Sequence, residues 1–143
     1  MTTVSIPADG NYRLFVRTFN WTAPWTTAKP GPGKFQVKIG DSFVTETLGC
    51  EGDRWYWQPA GTVTLKKGTT RISLHDLTGF DGRCDALLLT TDKKKDPNKM
   101  DTSETWRRGL LKLSDGSEKK FDFVVIGGGI AGMCAAATAA RGG

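Results

Sequence analysis

Hydrophobic and polar positions alternate through much of the first ninety residues. In the run from Asn11 to Thr18, Tyr12, Leu14 and Val16 fall on one side and Arg13 and Arg17 on the other. That period of two marks a half-buried strand. Phe35, Val37 and Ile39 alternate with Gln36 and Lys38 in the same way, and Ile72 and Leu74 with Arg71 and Ser73. Further strands are expected around 43–47, 55–58, 62–65 and 85–90. Between them stand turn residues: Ala8-Asp9-Gly10, Pro30-Gly31-Pro32-Gly33, Gly40-Asp41, Pro59-Ala60-Gly61, Lys66-Lys67-Gly68 and the stretch from Gly79 to Gly82. Glycine there supplies positive φ and proline fixes negative φ. With no helical period interrupting the series, residues 1–91 predict an antiparallel β-sandwich, making the chain mainly β.

The pattern changes twice after Thr91. Residues 92–120 are polar and charged and read as a linker. Asp96-Pro97 breaks it, and a short helix is expected near 103–110 with Ser103 as its cap. From Phe121 to Ile126 the chain becomes a nearly continuous apolar run, the signature of a parallel strand covered on both faces. A glycine turn, Gly127-Gly128-Gly129-Ile130-Ala131-Gly132, follows it. An alanine-rich helix over 133–141 comes next, with Gly142-Gly143 as its stop. The last region is therefore strand, turn and helix, the first β-α unit of a Rossmann-type fold.

Length limits the architecture: 143 residues hold one domain with a real core, so the region 121–143 is expected to be the truncated start of a second. The net charge of +5 is concentrated in residues 92–120, which carry nine Lys and Arg against six Asp and Glu. Lys93-Lys94-Lys95 has no aromatic interleaving beyond Trp106, so it reads as a solvated run rather than a nucleic-acid surface. Cys50, Cys84 and Cys134 are too few and too scattered for a disulfide framework or a paired-cysteine metal site. Cys84 and Cys134 are expected as small buried fillers, and a Cys50–Cys84 bridge stays open. The single histidine, His75, excludes a His-based metal cluster or dyad within the chain. No Ser-His-Asp arrangement or Walker-type turn is present. The first residues have neither a basic region nor an apolar stretch, so no signal peptide is read. No window has membrane-spanning length, and the compartment is left open.

In the glycine turn each glycine has a physical task. Gly127 permits the tight exit from the strand, Gly129 lets the backbone approach a pyrophosphate, and Gly132 lets the helix pack closely on the strand. Phosphates would meet the free N–H groups and the positive dipole end of the helix. The cofactor-binding candidates are thus Gly127, Gly128, Gly129, Ile130, Ala131 and Gly132, and the turn alone suits FAD or NAD. The stretch from Phe121 to Gly142 resembles the opening of FAD-dependent oxidoreductases of the glutathione-reductase-like superfamily. That resemblance implies FAD, an oxidoreductase activity, and a ribose-binding acidic residue on a later strand. The chain ends before such a strand, so it is expected to be a fragment that binds FAD weakly or not at all alone, its partner being the remainder of the flavin domain.

The first ninety residues resemble jelly-roll, carbohydrate-binding-like modules that precede flavin domains in a group of bacterial oxidoreductases. The resemblance rests on Gly10 to Thr18, Pro32 to Val37, Trp57-Gln58 with Gly61, and Leu74 to Ala86. It implies that earlier strands normally come first. Trp21 and Trp25 flank Thr22-Ala23-Pro24 in a turn-rich stretch and are the candidate carbohydrate contacts, because indoles match the apolar faces of sugar rings. Asp76, Asp81, Arg83 and Asp85 are candidate partners for hydroxyls or a structural Ca²⁺. Against that, Arg83 is expected to pair with Asp81 or Asp85, and Trp55 and Trp57 to fill the core. Three functions follow from these features. The chain is part of a flavoenzyme with unread catalytic residues, or a carbohydrate-binding module, or a sandwich that packs against its own catalytic domain.

Overall fold

A computed structural model describes residues 1–27, 29–100, 104–112, 120, 123–126 and 129–142. They divide into two compact units, Met1–Trp106 and Arg107–Gly143.

Among the described residues, the first unit is built from seven strands: β1 (Thr2–Ile6), β2 (Gly10–Thr18), β3 (Phe35–Ile39), β4 (Ser42–Phe43), β5 (Tyr56–Leu65), β6 (Gly68–Asp76) and β7 (Cys84–Thr90). They form two antiparallel sheets, ordered β1-β6-β3-β4 and β5-β2-β7. Ile6, Phe35, Val37, Ile39 and Ile72 from the first sheet meet Tyr12, Leu14, Val16, Ala60 and Leu65 from the second in one buried cluster. The alternation seen in the sequence is thus the inward face of each sheet, as a sandwich requires.

Strand β5 departs from the expected pair of strands at 55–58 and 62–65. It runs unbroken through Pro59-Ala60-Gly61. Its pairing with β2 shifts register between Arg13 and Phe15, opposite this step, and Gly61 takes a φ of +102°. The step is a bulge rather than a turn. Proline is tolerated because β5 is a sheet edge, where a missing N–H breaks no ladder. In contrast, the strand expected at 43–47 shrinks to β4, with Leu48 making an isolated bridge to Phe35.

The linker also reads differently in three dimensions. The first unit continues to Trp106, and residues 92–100 lie on the outer face of the β5-β2-β7 sheet. Arg13 Nη1 donates to the Lys93 and Lys95 carbonyls at 2.8 and 3.1 Å. Asn98, on the 3-10 turn Pro97–Lys99, accepts the Trp57 N–H and returns its own amide N–H to the Trp57 carbonyl, both at 2.8 Å. That pair of hydrogen bonds to an edge strand occupies groups that an unprotected edge leaves open. Phe15, Trp57 and Pro97 are buried here, outside the inter-sheet cluster. Trp57 therefore fills space on the outer face. Trp55 does not fill the core at all, being partly exposed against Phe19 and Arg17.

The second unit holds most of α1 (Glu104–Leu110) and all of α2 (Ile130–Gly142). The expected cap Ser103 lies outside the described residues. Residues 123–126 form no strand, and Ile126 is 96% exposed. The expected β-α unit is thus represented here by its helix. A lone parallel strand has no neighbour to take its N–H and C=O groups, and an apolar run without a sheet gains little from burial. Helix α2 forms from local alanine propensity and buries none of its residues, so Cys134 is exposed rather than a core filler.

Candidate functional site

Strand β2 ends at Thr18, β5 begins at Tyr56 and β7 at Cys84, so three loops meet at one end of the β5-β2-β7 sheet. They are residues 19–34, 49–55 and 77–83. Their backbones are tied together. The Asn20 N–H donates to the Glu51 carbonyl at 2.8 Å, the Gly31 N–H to the Cys50 carbonyl at 2.8 Å, and Thr18 Oγ1 to the Arg83 carbonyl. The buried Asn20 side chain closes its own turn, Oδ1 accepting the Thr22 N–H at 3.1 Å and Thr22 Oγ1–H at 2.7 Å. Gly31 lies so close to this amide that a Cβ there would fall 2.2 Å from Asn20 Oδ1. Gly49, at φ +83°, fits against the Gly33 carbonyl and the Phe35 ring. Glycine at both positions lets the loops close on each other. On the other side, the Asp76 carboxylate accepts the Thr78 and Gly79 N–H groups at 3.0 and 3.1 Å, which holds the turn out of β6.

This frame carries an aromatic cluster. Trp21 Nε1–H donates to the Asp81 carbonyl at 2.7 Å, Phe80 stacks on the Trp21 ring at 5.6 Å and 9°, and the Arg83 guanidinium sits 4.9 Å over it. Trp25 meets Trp21 at 5.8 Å and 70° and is 74% exposed, while Phe80 is 41% exposed. A cavity of about 550 Å³ opens beside them, lined by Thr22, Thr26, Lys34, Thr78, Phe80 and the Pro30-Gly31-Pro32 bend. Large aromatic groups held out in solvent next to hydroxyl and ammonium donors form a surface with an apolar platform and a polar margin. Its volume is in the range of small-ligand sites.

The structure places Trp21 and Trp25, the candidate carbohydrate contacts, in edge contact with each other, and adds Phe80 and Arg83 around Trp21. The expected pairing of Arg83 with an aspartate is not what forms: Asp85 instead holds Arg17 at 2.7 Å, and Arg17 lies over Trp55 at 5.2 Å. Asp76 is engaged in its turn, and Asp81 contributes its backbone carbonyl. Among the described residues no group of three or more His, Cys, Asp or Glu side chains is placed to hold a metal ion. His75 stands on the outer face of the other sheet, 5.1 Å from Phe43. Cys50, Cys84 and Cys134 are free thiols, so no Cys50–Cys84 bridge forms. Burial, helped by the neighbouring Asp85 charge, pushes the Cys84 thiol up to about 11, and burial raises Cys50 as well.

Of the glycine-turn residues, Gly127 and Gly128 lie outside the described residues. Gly129 precedes α2 and its carbonyl accepts the Met133 N–H at 2.9 Å; Ile130, Ala131 and Gly132 form the first turn of α2. None of the described helices is long and apolar enough to cross a membrane.

No protein-family model and no curated protein matches the chain. Among solved structures it is similar to a family 35 carbohydrate binding module from an environmental isolate, at 26% identity and a TM-score of 0.44. The likeness covers 62% of this chain and 61% of that one.

Proposed function

We propose that the sandwich is a carbohydrate-binding module whose ligand lies on the aromatic end formed by Trp21, Trp25 and Phe80. What supports this reading is the exposed Trp25, in edge contact with Trp21 and next in sequence to Thr26, which lines the cavity at the joined loops. Sugar rings present C–H faces that suit an indole and hydroxyls that suit Thr, Lys and backbone partners, and this end of the sandwich offers both in one place. Retention of the purified chain on insoluble cellulose, xylan, mannan or chitin tests it. The expected result is retention on at least one, lost in the double variant Trp21→Ala/Trp25→Ala. Wild-type protein that stays in the supernatant with all four contradicts the reading.

A second reading concerns residues 121–143: that they begin the FAD-binding domain of an oxidoreductase, with Gly127 to Gly132 cradling the pyrophosphate. What favours it is the start of α2 at Ile130, immediately after Gly129, with Gly132 in the first helical turn. FAD titration followed by flavin fluorescence is the test. Weak quenching that disappears in Gly129→Val supports the reading, and quenching of equal strength in both proteins counts against it.

A further inference from the structure

The aromatic cluster treats its two tryptophans unequally. Trp21 has committed its indole N–H to the Asp81 carbonyl at 2.7 Å, and its ring is engaged by stacked Phe80 at 5.6 Å and by the Arg83 guanidinium at 4.9 Å. A sugar settling on Trp21 would have to compete with these neighbours, giving up a ring stack or a cation–π contact. Trp25 meets Trp21 at 70°, a T-shaped contact that takes at most one of its faces, and it is 74% exposed. Its backbone is fixed all the same. The Trp25 and Thr26 N–H groups both donate to the Thr22 carbonyl, at 2.9 and 3.0 Å, and Thr22 is anchored on buried Asn20. Thr22 and Thr26, on either side of Trp25 in this turn, line the 550 Å³ cavity with Lys34 and Thr78.

We propose that Trp25 is the stacking platform for the sugar ring and Trp21 the positioning residue that holds it, with the bound saccharide reaching from Trp25 into the cavity edged by Thr22, Thr26, Lys34, Thr78 and Phe80. This assignment rests on the carbohydrate-binding reading of the same end. It divides the labour between one residue that touches ligand and a prop of Trp21, Phe80 and Arg83 that sets its angle. A pre-set indole loses little rotamer freedom on binding, the ordinary benefit of preorganisation.

Electrophoresis of the whole chain through gels containing the polysaccharide that retains it tests the division. Trp25→Ala is expected to lose roughly thirtyfold in affinity, the scale of an aromatic anchor in an interface, with an unchanged unfolding midpoint because the side chain is exposed. Trp25→Tyr should restore much of the retardation. Trp21→Phe keeps a ring for Phe80 but loses the Asp81 bond. It should weaken binding less than Trp25→Ala while abolishing the far-ultraviolet exciton couplet expected of two indoles 5.8 Å apart. Wild-type retardation with Trp25→Ala equally retarded overturns the assignment and leaves the carbohydrate reading standing. Retardation lost in Trp21→Phe but kept in Trp25→Ala overturns it too, by reversing the roles. A wild-type chain that no gel retards overturns the carbohydrate reading itself, and the assignment with it.

Discussion

Strand β2 and the segment 121–126 are both rich in apolar residues, yet one is a central strand and, among its described residues 123–126, the other has no strand at all. The difference is company. β2 lies between β5 and β7, so its backbone groups are paired on both edges and Leu14 and Val16 are buried completely. Phe123, Val124 and Ile126 are more than half exposed, and no described strand pairs with them. Apolarity promotes a strand only where a sheet already exists to receive it; helix α2 closes its own hydrogen bonds and forms without that help.

Side-chain truncation should separate the two regions most strongly. Leu14→Ala should cost about 2–5 kcal/mol, since the side chain is fully buried between the sheets, whereas Ile126→Ala should stay within about 0.5 kcal/mol. Urea unfolding of the two variants decides it, and equal losses would mean that Ile126 is packed in solution. Gly31→Ala is the next largest effect, about 1–3 kcal/mol, because its Cβ would collide with the Asn20 amide that organises the joined loops. It should also weaken polysaccharide retention. Asn98→Ala should cost about 1–2 kcal/mol by removing both partners of the Trp57 backbone, showing that residues 92–100 belong to the sandwich. A change within error would return them to the status of a free linker.

The smallest effects are read from the thiols. Cys134 on α2 should react with a thiol reagent at neutral pH well before Cys50 and Cys84, whose burial raises their pKa values. Linkage gives the sign for stability. Cys84 titrates higher folded than unfolded, so its contribution is complete below the unfolded thiol value near 9. That contribution is lost as pH rises from there towards about 11. In a Cys84→Ala variant this alkaline loss should shrink. Asp9 works in the opposite range. The Lys67 N–H and then the Lys66 ammonium hold its carboxyl below the usual value, so its small contribution is lost as pH falls through the acidic range.

Most of the sandwich is legible in sequence because period-two alternation reports directly which face of a strand is buried, as in β2 and β3. Pro59-Gly61 misleads because its residues suit a turn and an edge-strand bulge equally well, and only the pairing partner distinguishes them. The cover formed by residues 92–100 is hidden for another reason: the Lys93 and Lys95 contacts to Arg13 use backbone carbonyls, which side-chain charge does not reveal. At the candidate site, Trp21 and Trp25 are neighbours in sequence and visible as a pair. Phe80 and Arg83 join them from a loop about sixty residues further along, through contacts that no local pattern carries.

Whether the aromatic end of the sandwich is the ligand surface can be read from the indole N–H signals of the five tryptophans in a heteronuclear NMR titration with soluble oligosaccharides of the retained polysaccharide. Trp25 should shift most and Trp21 with it, while buried Trp57, on the outer face of the β5-β2-β7 sheet, stays in place. Oligosaccharide that moves Trp57 or Trp106 and leaves Trp21 and Trp25 unchanged would contradict it.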